Sequence, residues 1–252
     1  MQESVTKAGI PHVSIQANPG FGAAVTSGLN EVGEWDWVLV INDDIELEEG
    51  ALLPHVEALP DAMSKTLIFL DPVEPKRIPG MGSTLGQVSL ISAPVARLRR
   101  VFGSGRTKHS GDRFRPFSIV MISRGLWDGI GGLDEDMPYT FEDADFARRA
   151  ELAGADLRFP ATEGIRHPAS STSKRHVDKV VPVAAWSAAS YMTRWYTPPG
   201  VARALCAGAL ATRALFVPIT PADRRSHLVG IRRGISALLT NRKPDLPDFD
   251  SV

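Results

Sequence analysis

Three polar residues that could bind a metal ion follow a short apolar stretch early in the chain. Asn42, Asp43 and Asp44 come directly after Val38–Ile41, an apolar run that is typical of a strand buried on both faces of a parallel sheet. Ligands of open α/β sheets bind outside the carboxyl ends of the strands. Two adjacent carboxylates repel each other there unless a cation such as Mg²⁺ or Mn²⁺ neutralises them. The pattern predicts a metal site that holds a pyrophosphate or, as the alternative, two acids that cap the following helix.

A second acidic cluster lies in the other half of the chain. Glu142, Asp143 and Asp145 stand at the start of a predicted helix, where the helix dipole favours negative charge. Three acids exceed what a cap requires, and a carboxylate at a helix start that faces a crevice can accept a proton from a substrate hydroxyl. His167 follows in a loop rich in Ser and Thr, and it gains a chemical role only as a further metal ligand beside Asp44. The cluster therefore indicates a general base, with helix capping as the alternative.

Strands and a glycine-rich turn would position these side chains. The turn at Gly20 and Gly22 allows the backbone to approach a ligand closely, and the small residues after it open a helix. A plain strand-to-helix connection is the alternative. The apolar pattern also predicts a strand at His12–Ile15 and strands at Thr66–Leu70, Phe117–Arg124 and Leu157–Pro160. It predicts helices at Glu49–Leu59 and from the acids at 142–145 to Gly154.

Residues 71–116 are predicted to be mostly a long glycine-rich loop with one short strand, Val88–Ile91. Between Arg97 and Arg115 this segment carries seven Lys or Arg residues against one acid, Asp112. Long glycine-rich loops in compact domains are either functional lids or disordered segments. A lid and a solvated basic loop both remain open at this point.

The C-terminal region is predicted to be helical and basic. Its apolar periodicity indicates helices at Val180–Tyr196, Val201–Phe216 and Leu228–Leu239. From Trp186 to Lys243 there are nine Lys or Arg residues against the single acid Asp223. Basic amphipathic helices of this kind could rest on an anionic membrane face, pack on the core or contact a second subunit. We therefore divide the chain into an α/β domain at 1–178, a helical region at 179–243 and a disordered tail at 244–252.

The whole-chain composition is that of an ordinary globular protein. With 252 residues, a net charge of −1, 43% hydrophobic and 23% charged residues, the chain has no polyelectrolyte character. The lone cysteine, Cys206, excludes an internal disulfide and suits a reducing cytosol. We expect no secretion signal, because Met1–Lys7 has no apolar segment, and no spanning helix, because Arg213 and Pro218 interrupt the longest apolar stretch.

Taken in order, these blocks resemble the inverting family 2 glycosyltransferases of the GT-A fold, especially the bacterial rhamnosyltransferases and galactofuranosyltransferases. The resemblance covers residues 10–175 and implies an α/β fold with a mostly parallel sheet, flanking helices and a helical C-terminal extension. The matching segments are Asn18–Ala24, Ile41–Leu52, Gly131–Glu135, Phe141–Phe146 with Arg148 and Arg149, and His167.

The resemblance also implies a role for each matching residue. Asp44 and His167 would hold Mg²⁺ or Mn²⁺ on the donor diphosphate. Asp143 would be the general base that deprotonates the acceptor hydroxyl, with Glu142 beside it. The donor-binding residues would be Asn18, Gly20, Phe21, Asn42 and Asp43, and the acceptor-binding residues Trp127, Gly131, Gly132 and Asp145.

The function implied by the resemblance is metal-dependent transfer of a hexose from a nucleotide-sugar donor to a hydroxyl of a glycan or lipid-linked acceptor, with inversion. We expect this chemistry in cell-envelope polysaccharide synthesis, in the cytoplasm or peripherally on the inner face of the plasma membrane. An anionic membrane surface and a second copy of the chain are further partners that the basic helices would suit.

Two alternatives are distinct in kind. Family members begin with strands that grip the nucleobase, which we expect to be absent here, leaving an unpaired apolar edge at His12–Ile15 or Val38–Ile41. The chain could then be a non-catalytic remnant of the fold that binds a partner enzyme or a glycan. A module that binds nucleic acid through its basic segments ranks last, because few aromatic residues accompany the arginines. No nucleic acid partner is therefore expected.

Overall fold

A mixed four-stranded sheet with helices packed around it forms the centre of the protein. The computed structural model describes residues 18–90, 113–168, 176–217 and 223–246. This arrangement confirms the α/β class, the flanking helices and the helical C-terminal extension. In chain order the strands are β1 (Trp37–Ile41), β2 (Glu46–Leu47), β3 (Thr66–Phe69), β4 (Lys76–Arg77), β5 (Arg113–Phe114), β6 (Ile119–Ser123), β7 (Asp156–Arg158) and β8 (Ile165–Arg166).

The central sheet has the strand order β1-β6-β3-β7. Strand β6 pairs antiparallel with both β1 and β3, whereas β3 and β7 are parallel. Three strands therefore run in one direction and β6 runs against them, so the predicted mostly parallel sheet is a mixed one. Two further pairs, β2 with β8 and β4 with β5, form separate antiparallel ribbons.

Side chains that alternate along β3 and β6 enter two different cores. Leu67 and Phe69 join the larger hydrophobic cluster on one face of the sheet, while Ile68 and Leu70 join a smaller one on the other. Such alternation follows from the period of a strand, in which successive side chains point to opposite faces. Strands β3 and β6 are buried along their whole length.

Strand β1 differs from its prediction, since it is not buried on both faces. Val38 and Val40 pack on the larger cluster, but Leu39 is 38% exposed and Ile41 is 42% exposed. Within the described residues β1 pairs only with β6 and forms one edge of the sheet. Among the described residues, β1 thus shows the unpaired apolar edge that was expected at Val38–Ile41. The other expected edge, His12–Ile15, lies outside the described residues.

The helices confirm most of the predicted helical segments. The segment Glu49–Leu59 contains only a short helix, and the predicted strand Val88–Ile91 is wrong because residues up to Ser89 belong to a helix. In chain order the helices are α1 (Phe21–Val32), α2 (Leu53–Glu57), α3 (Met81–Ser89), α4 (Arg124–Ile130), α5 (Glu142–Leu152), α6 (Val177–Trp195), α7 (Pro199–Ala214) and α8 (Arg224–Thr240).

The three C-terminal helices pack on one another and on the rest of the protein. Helix α6 contacts α8, α7, α3 and α5, and it buries Tyr191 and Met192 completely. This confirms core packing for part of the basic helical region. Among the described residues, no helix is both long and apolar enough to cross a membrane. The predicted basic loop, apart from residues 113–115, and the end of the predicted tail, from residue 247, lie outside the described residues.

Candidate active site and metal-binding cluster

The acidic segment after β1 is a tight turn that returns the chain into β2. The Asn42 N–H donates to Ser118 O at 2.8 Å, and the Ile45 N–H donates to Asn42 O at 3.3 Å. Asp43 is exposed, whereas the Asp44 side chain is 30% exposed. The turn therefore directs Asp44, more than Asp43, toward the protein.

The ribbon of β2 and β8 brings His167 beside Asp44. Glu46 is paired with Arg166, so the residue that follows β8 lies next to the turn that precedes β2. His167 Nε2 lies 3.6 Å from Asp44 Oδ1. The exposed ion pair of Arg166 with Glu48 closes the same ribbon from outside. The structure thus brings together the two residues that the family resemblance implies as metal ligands.

Asp71 is a third member of this cluster, and sequence reasoning missed it. It follows β3 in the way that Asp44 follows β1, and its side chain is fully buried. Asp71 Oδ2 lies 2.8 Å from His167 Nδ1, while Asp71 Oδ1 accepts the Val73 N–H at 2.8 Å. A neutral His167 that donates its Nδ1–H to Asp71 carries its lone pair on Nε2, the atom that faces Asp44.

The donor set of this cluster fits a divalent cation. Asp44 Oδ1 is buried and has no hydrogen-bond partner among the described residues, which is costly unless a cation or a donor completes it. A carboxylate oxygen and an imidazole nitrogen could both ligate Mg²⁺ or Mn²⁺. The described residues contain no group of three His, Cys, Asp or Glu side chains placed to hold a metal. A cation here would need further ligands from substrate or water.

Helix α5 begins with the predicted general base and its neighbour. Phe141 caps this helix with a left-handed backbone, φ 72°, which turns the chain sharply into Glu142 and Asp143. Burial raises the pKa of Asp143 to about 6, while the positive charge of Lys76 opposes the rise. Burial and the nearby Asp143 raise the pKa of Glu142 well above its ordinary value. With a pKa of about 6, Asp143 is ionised near neutral pH, and burial disfavours the ionised form of Glu142 beside it.

Asp143 remains accessible, whereas Glu142 does not. Asp143 is partly exposed, and its Oδ1 accepts the Ala144 N–H at 2.7 Å. Glu142 is 8% exposed, and its Oε2 has no hydrogen-bond partner among the described residues. Burial, and then the charge of Glu142, raise the pKa of the neighbouring Tyr139. Of the two acids, Asp143 is the one that a substrate hydroxyl can reach.

Asp145 lies in the interior and is engaged by protein groups. Its Oδ2 pairs with Arg149 Nε at 2.8 Å, and its Oδ1 accepts Trp195 Nε1–H at 2.8 Å. The Asp145 side chain is 0% exposed. These contacts tie α5 to the end of α6, so they describe a structural role. The predicted role of Asp145 in acceptor binding stays a prediction.

Trp127 packs against Gly132, the second of the two glycines that follow α4. Gly132 has φ 68°, and a Cβ placed there would lie 2.9 Å from the Trp127 ring. Arg149 Nη1 donates to the carbonyl oxygens of Ile130 and Gly132, each at 2.8 Å. Gly131, with φ 77°, is exposed. These residues lie at the α4–α5 junction, and their predicted contact with acceptor stays a prediction.

The glycine-rich turn before α1 packs on the loop that leads into α5. Gly20 has φ 94°, and a Cβ there would lie 2.7 Å from Pro138 Cβ. Asn18 Oδ1 accepts the Gly20 N–H at 3.0 Å, and the Phe21 N–H donates to Pro138 O at 2.9 Å. The close approach that glycine permits here is to the protein itself. Donor contacts of Asn18, Gly20, Phe21, Asn42 and Asp43 stay predictions.

Two curated proteins are similar to this chain in sequence. The chain is similar to two N-acetylglucosaminyl-diphospho-decaprenol L-rhamnosyltransferases of Mycobacterium tuberculosis, one from strain CDC 1551 / Oshkosh and one from strain ATCC 25618 / H37Rv. Each is 27% identical over 180 residues, which cover 63% of this chain and 59% of the relative. No family model matches the chain. The chain spans less than two thirds of the length of these relatives, and the similarity supports a glycosyltransferase relationship.

Proposed function

We propose that this protein is a metal-dependent inverting glycosyltransferase of the GT-A type, which transfers a sugar from a nucleotide-sugar donor to an acceptor hydroxyl. The observation that carries the proposal is the Asp44–His167 pair, in which Asp44 Oδ1 has no hydrogen-bond partner among the described residues and the buried Asp71 supports His167. The similarity to the mycobacterial rhamnosyltransferases supports the same reaction class.

Asp44 and His167 would hold the metal, and Asp71 would keep the imidazole in the ligating tautomer. A bound Mg²⁺ or Mn²⁺ would neutralise the diphosphate of the departing nucleotide. Asn42 and Asp43 are placed on the same turn and would lie beside the donor. The predicted contacts of Asn18, Gly20 and Phe21 would complete the donor side.

Asp143 would accept the proton of the acceptor hydroxyl. A partly exposed carboxylate with a pKa of about 6 is ionised at neutral pH and is still a better base than an ordinary aspartate. The hydroxyl oxygen would attack the anomeric carbon from the side opposite the nucleotide, which inverts the configuration. Burial disfavours the ionised form of Glu142, which would limit the negative charge beside Asp143.

The names of the relatives suggest the substrate classes. By name, these relatives are L-rhamnosyltransferases that act on N-acetylglucosaminyl-diphospho-decaprenol. We extend this to the chain as transfer of rhamnose or a related hexose to a lipid-linked glycan in cell-envelope synthesis. A location at the inner face of the plasma membrane follows from such an acceptor.

The test is a screen of nucleoside diphosphate sugars, rhamnose among them, with Mn²⁺ and a short-chain lipid diphosphate N-acetylglucosamine. Release of nucleoside diphosphate and formation of a disaccharide lipid are measured. Asp143→Asn should reduce transfer by about 10²-fold or more while donor binding persists. Glu57→Gln, which removes an exposed acid from α2, is the matched control and should leave transfer unchanged.

Transfer at the normal rate by Asp143→Asn would mean that another residue is the general base. Binding of Mn²⁺ and nucleotide without transfer to any acceptor would favour the non-catalytic remnant. Absence of Mn²⁺-dependent nucleotide binding would contradict the metal-dependent reaction itself.

A further inference from the structure

Helices α3 and α7 form an open groove between them, which the proposed reaction has not used so far. Its volume is about 340 Å³, and sites that bind small molecules have roughly 300–1,000 Å³. Leu85 of α3 and Leu205 of α7 line it, together with Gly82, Gly86 and Ala209. Below, "the α3–α7 groove" means the space that these five residues line.

The α3–α7 groove suits an apolar ligand. No charged side chain of the described residues lines it. The two hydroxyl side chains that line it are engaged within their own helices. Ser89 Oγ donates to Gly86 O at 3.3 Å, and Thr212 Oγ1 donates to Gly208 O at 3.0 Å. A ligand would therefore be bound mainly because apolar surface leaves water.

Gly82 keeps this groove open, although the fold itself does not require a glycine there. Its φ is not positive, and a Cβ at this position would meet no atom of the described residues within 4 Å. Alanine is more favourable than glycine in a helix. Neither the backbone nor packing among the described residues explains Gly82, whereas a ligand in the groove would.

The groove begins beside the segment that carries the proposed base. Two residues before α3, Pro79 O accepts hydrogen bonds from Tyr191 OH at 2.9 Å and from Tyr196 OH at 2.8 Å. The Tyr191 ring stacks on the ring of Phe141 with a centroid distance of 5.2 Å, and Phe141 is two residues before Asp143. These contacts join the start of α3 to the start of α5.

Apolar side chains remain exposed where a ligand would enter. Met81, the first residue of α3, follows this junction and is 43% exposed, and Leu205 in the groove is 38% exposed. Helix α3 has 9 residues and is therefore about 13 Å long. An elongated apolar ligand could thus lie along α3 with one end directed toward Asp143.

We propose that the α3–α7 groove binds the polyprenyl chain of a lipid-linked sugar acceptor. The inference rests on the proposed function, in which the acceptor is a lipid-linked glycan. Sugar and lipid are parts of one molecule, so a site for the chain must be within reach of the base that acts on the sugar. The contacts of Pro79, Tyr191 and Phe141 place the groove and the base in this relation.

The experiment uses the full chain, and calorimetry in EDTA with farnesyl diphosphate and isopentenyl diphosphate as probes. Both probes carry a diphosphate, but only farnesyl diphosphate carries a polyprenyl chain. The difference between their affinities therefore reports binding of the chain. We expect the unmodified protein to bind farnesyl diphosphate about tenfold or more tightly than isopentenyl diphosphate, because burial of each added methylene is favourable.

The test variant is Gly82→Leu, which places a side chain in the groove. The matched control is Gly208→Leu on α7, which lies outside the groove. A Cβ at either position would meet no atom of the described residues within 4 Å, so both variants should keep the melting temperature of the unmodified protein. Gly82→Leu should reduce the preference for farnesyl diphosphate to about twofold or less, whereas Gly208→Leu should retain it.

A second pair of variants tests the wall of the groove without filling it, and decides the matter if Gly82→Leu does not fold. Leu205→Gln should weaken farnesyl diphosphate binding and leave isopentenyl diphosphate binding unchanged. Leu215→Gln changes a leucine that is 76% exposed and outside the groove, and it should weaken neither. Farnesyl diphosphate affinities that are equal in each variant and its control would overturn the proposal.

A second copy of the chain is the other apolar occupant that the test can reveal. A mass that depends on protein concentration without lipid, and that Gly82→Leu makes monomeric, would assign the groove to self-association and overturn the proposal.

The outcomes for the groove and for the proposed function are distinguishable. Transfer to a polyprenyl-linked acceptor with an unchanged acceptor KM in Gly82→Leu would reject the groove and keep the transferase. Farnesyl diphosphate binding that Gly82→Leu abolishes, in a chain that transfers no sugar, would keep the groove as a polyprenyl site and reject the transferase.

Discussion

At the scale of single residues, burial acts on both Asp143 and Glu142 but leaves Asp143 accessible. Burial raises the pKa of both acids. Of the two, only Asp143 is partly exposed, and the positive charge of Lys76 opposes the rise of its pKa. The like charge of a neighbour makes ionisation of both acids unfavourable. The accessible acid is therefore the one that can take a proton from substrate near neutral pH.

Transfer should accordingly depend on pH through Asp143. Below a pH of about 6 its carboxyl is protonated and cannot act as a base, so kcat/KM should rise with pH through that value and then level off. The measurement is a pH–rate profile of kcat/KM with saturating Mn²⁺. A rate that is flat between pH 5 and 8, an interval chosen to span the pKa, would remove Asp143 from this role.

The stability of the folded protein should fall as pH rises, whereas kcat/KM should increase. The folded pKa of Asp143 lies above its ordinary value of 3.8, so the unfolded chain loses this proton first as pH rises. The free energy of unfolding should therefore fall as pH rises from 3.8 to about 6. Asp143→Asn removes this penalty and should stabilise the protein at pH 8 by up to about 3 kcal/mol, but not at pH 4. Urea unfolding at the two pH values measures this difference, and equal effects would contradict it.

Asp71 should act on the metal through His167. Asp71→Ala leaves His167 Nδ1 without its partner, and Mn²⁺ affinity in the presence of nucleoside diphosphate should fall by about 10- to 100-fold. Asp71→Asn keeps an acceptor oxygen, so the Mn²⁺ affinity of this variant should fall less. Asp44→Ala should abolish metal-dependent binding of the nucleoside diphosphate. Calorimetry and the electron paramagnetic resonance of free Mn²⁺ report the affinity without any assay of transfer.

Asp61→Ala is the matched control for Asp71. Asp61 accepts the N–H of Met63, two residues on, as Asp71 accepts that of Val73, but its contacts within the described residues include no histidine. Asp61→Ala should leave Mn²⁺ affinity unchanged. If Asp71→Ala bound Mn²⁺ as tightly as Asp61→Ala, the positioning role of Asp71 would be wrong.

The residues of the candidate site were predictable from the sequence where they belong to a strong local pattern. Asp44 follows an apolar run, and the acids of α5 crowd a helix start, so both clusters could be found in the sequence. Asp71 follows an equally apolar strand, and the same rule would have found it. Lys76 carried no signal, because its position beside Asp143 depends on the pairing of two distant segments.

At the scale of elements, a buried carboxylate, Asp145, forms one of the contacts between α5 and α6. Asp145→Ala would remove the carboxylate that accepts from both Arg149 Nε and Trp195 Nε1 in the interior, and the loss should cost about 3–5 kcal/mol of unfolding free energy. Asp128→Ala is the control, since Arg124 and Asp128 form a pair of the same spacing at the surface. That change should cost less than about 0.5 kcal/mol.

Chemical denaturation of the two variants gives the comparison. Similar losses for Asp145→Ala and Asp128→Ala would show that burial of the α5 pair adds nothing. The Asp145 result also bears on acceptor binding. A variant that folds and retains the acceptor KM would contradict the predicted contact of Asp145 with the acceptor.

Elements were predicted well where a whole segment is apolar, and poorly where tertiary packing overrides the local conformational preference of the residues. Strands β3 and β6 are apolar throughout and form the buried centre of the sheet. Helix α3 contains Gly82 and Gly86, which disfavour a helix, yet it packs against α7 and α6. Strand β1 has the sequence of a central strand, but its edge position is set by pairings that a local pattern does not contain.

At the scale of the whole molecule, the basic excess of the C-terminal region lies mainly at the surface. Arg224, Arg225, Arg232 and Arg233 of α8 are exposed, whereas Arg213 is turned inward and donates to His227 Nε2 at 2.8 Å. Apolar residues share this surface, since Leu228 is 49% exposed and Leu239 is 67% exposed. Helix α8 therefore contributes to the core with one side and presents cations and leucines with the other.

This surface predicts binding to anionic lipid vesicles. Each basic residue near an anionic membrane contributes about 1 kcal/mol, and the attraction is screened by salt. We expect co-sedimentation with vesicles that contain phosphatidylglycerol at low salt, little with phosphatidylcholine alone, and a steady loss as salt rises. Arg225→Glu with Arg232→Glu should weaken binding at least tenfold, because each reversal replaces an attraction by a repulsion.

The control replaces two partly exposed arginines elsewhere with the same charge change. Arg124→Glu with Arg158→Glu acts on α4 and β7, and it should leave vesicle binding within twofold. Equal losses in the two double variants would mean that net charge, rather than the face of α8, governs binding. Binding that ignores lipid charge, together with a concentration-dependent mass in size-exclusion chromatography, would instead assign the exposed leucines of α8 to contact with a second copy of the chain.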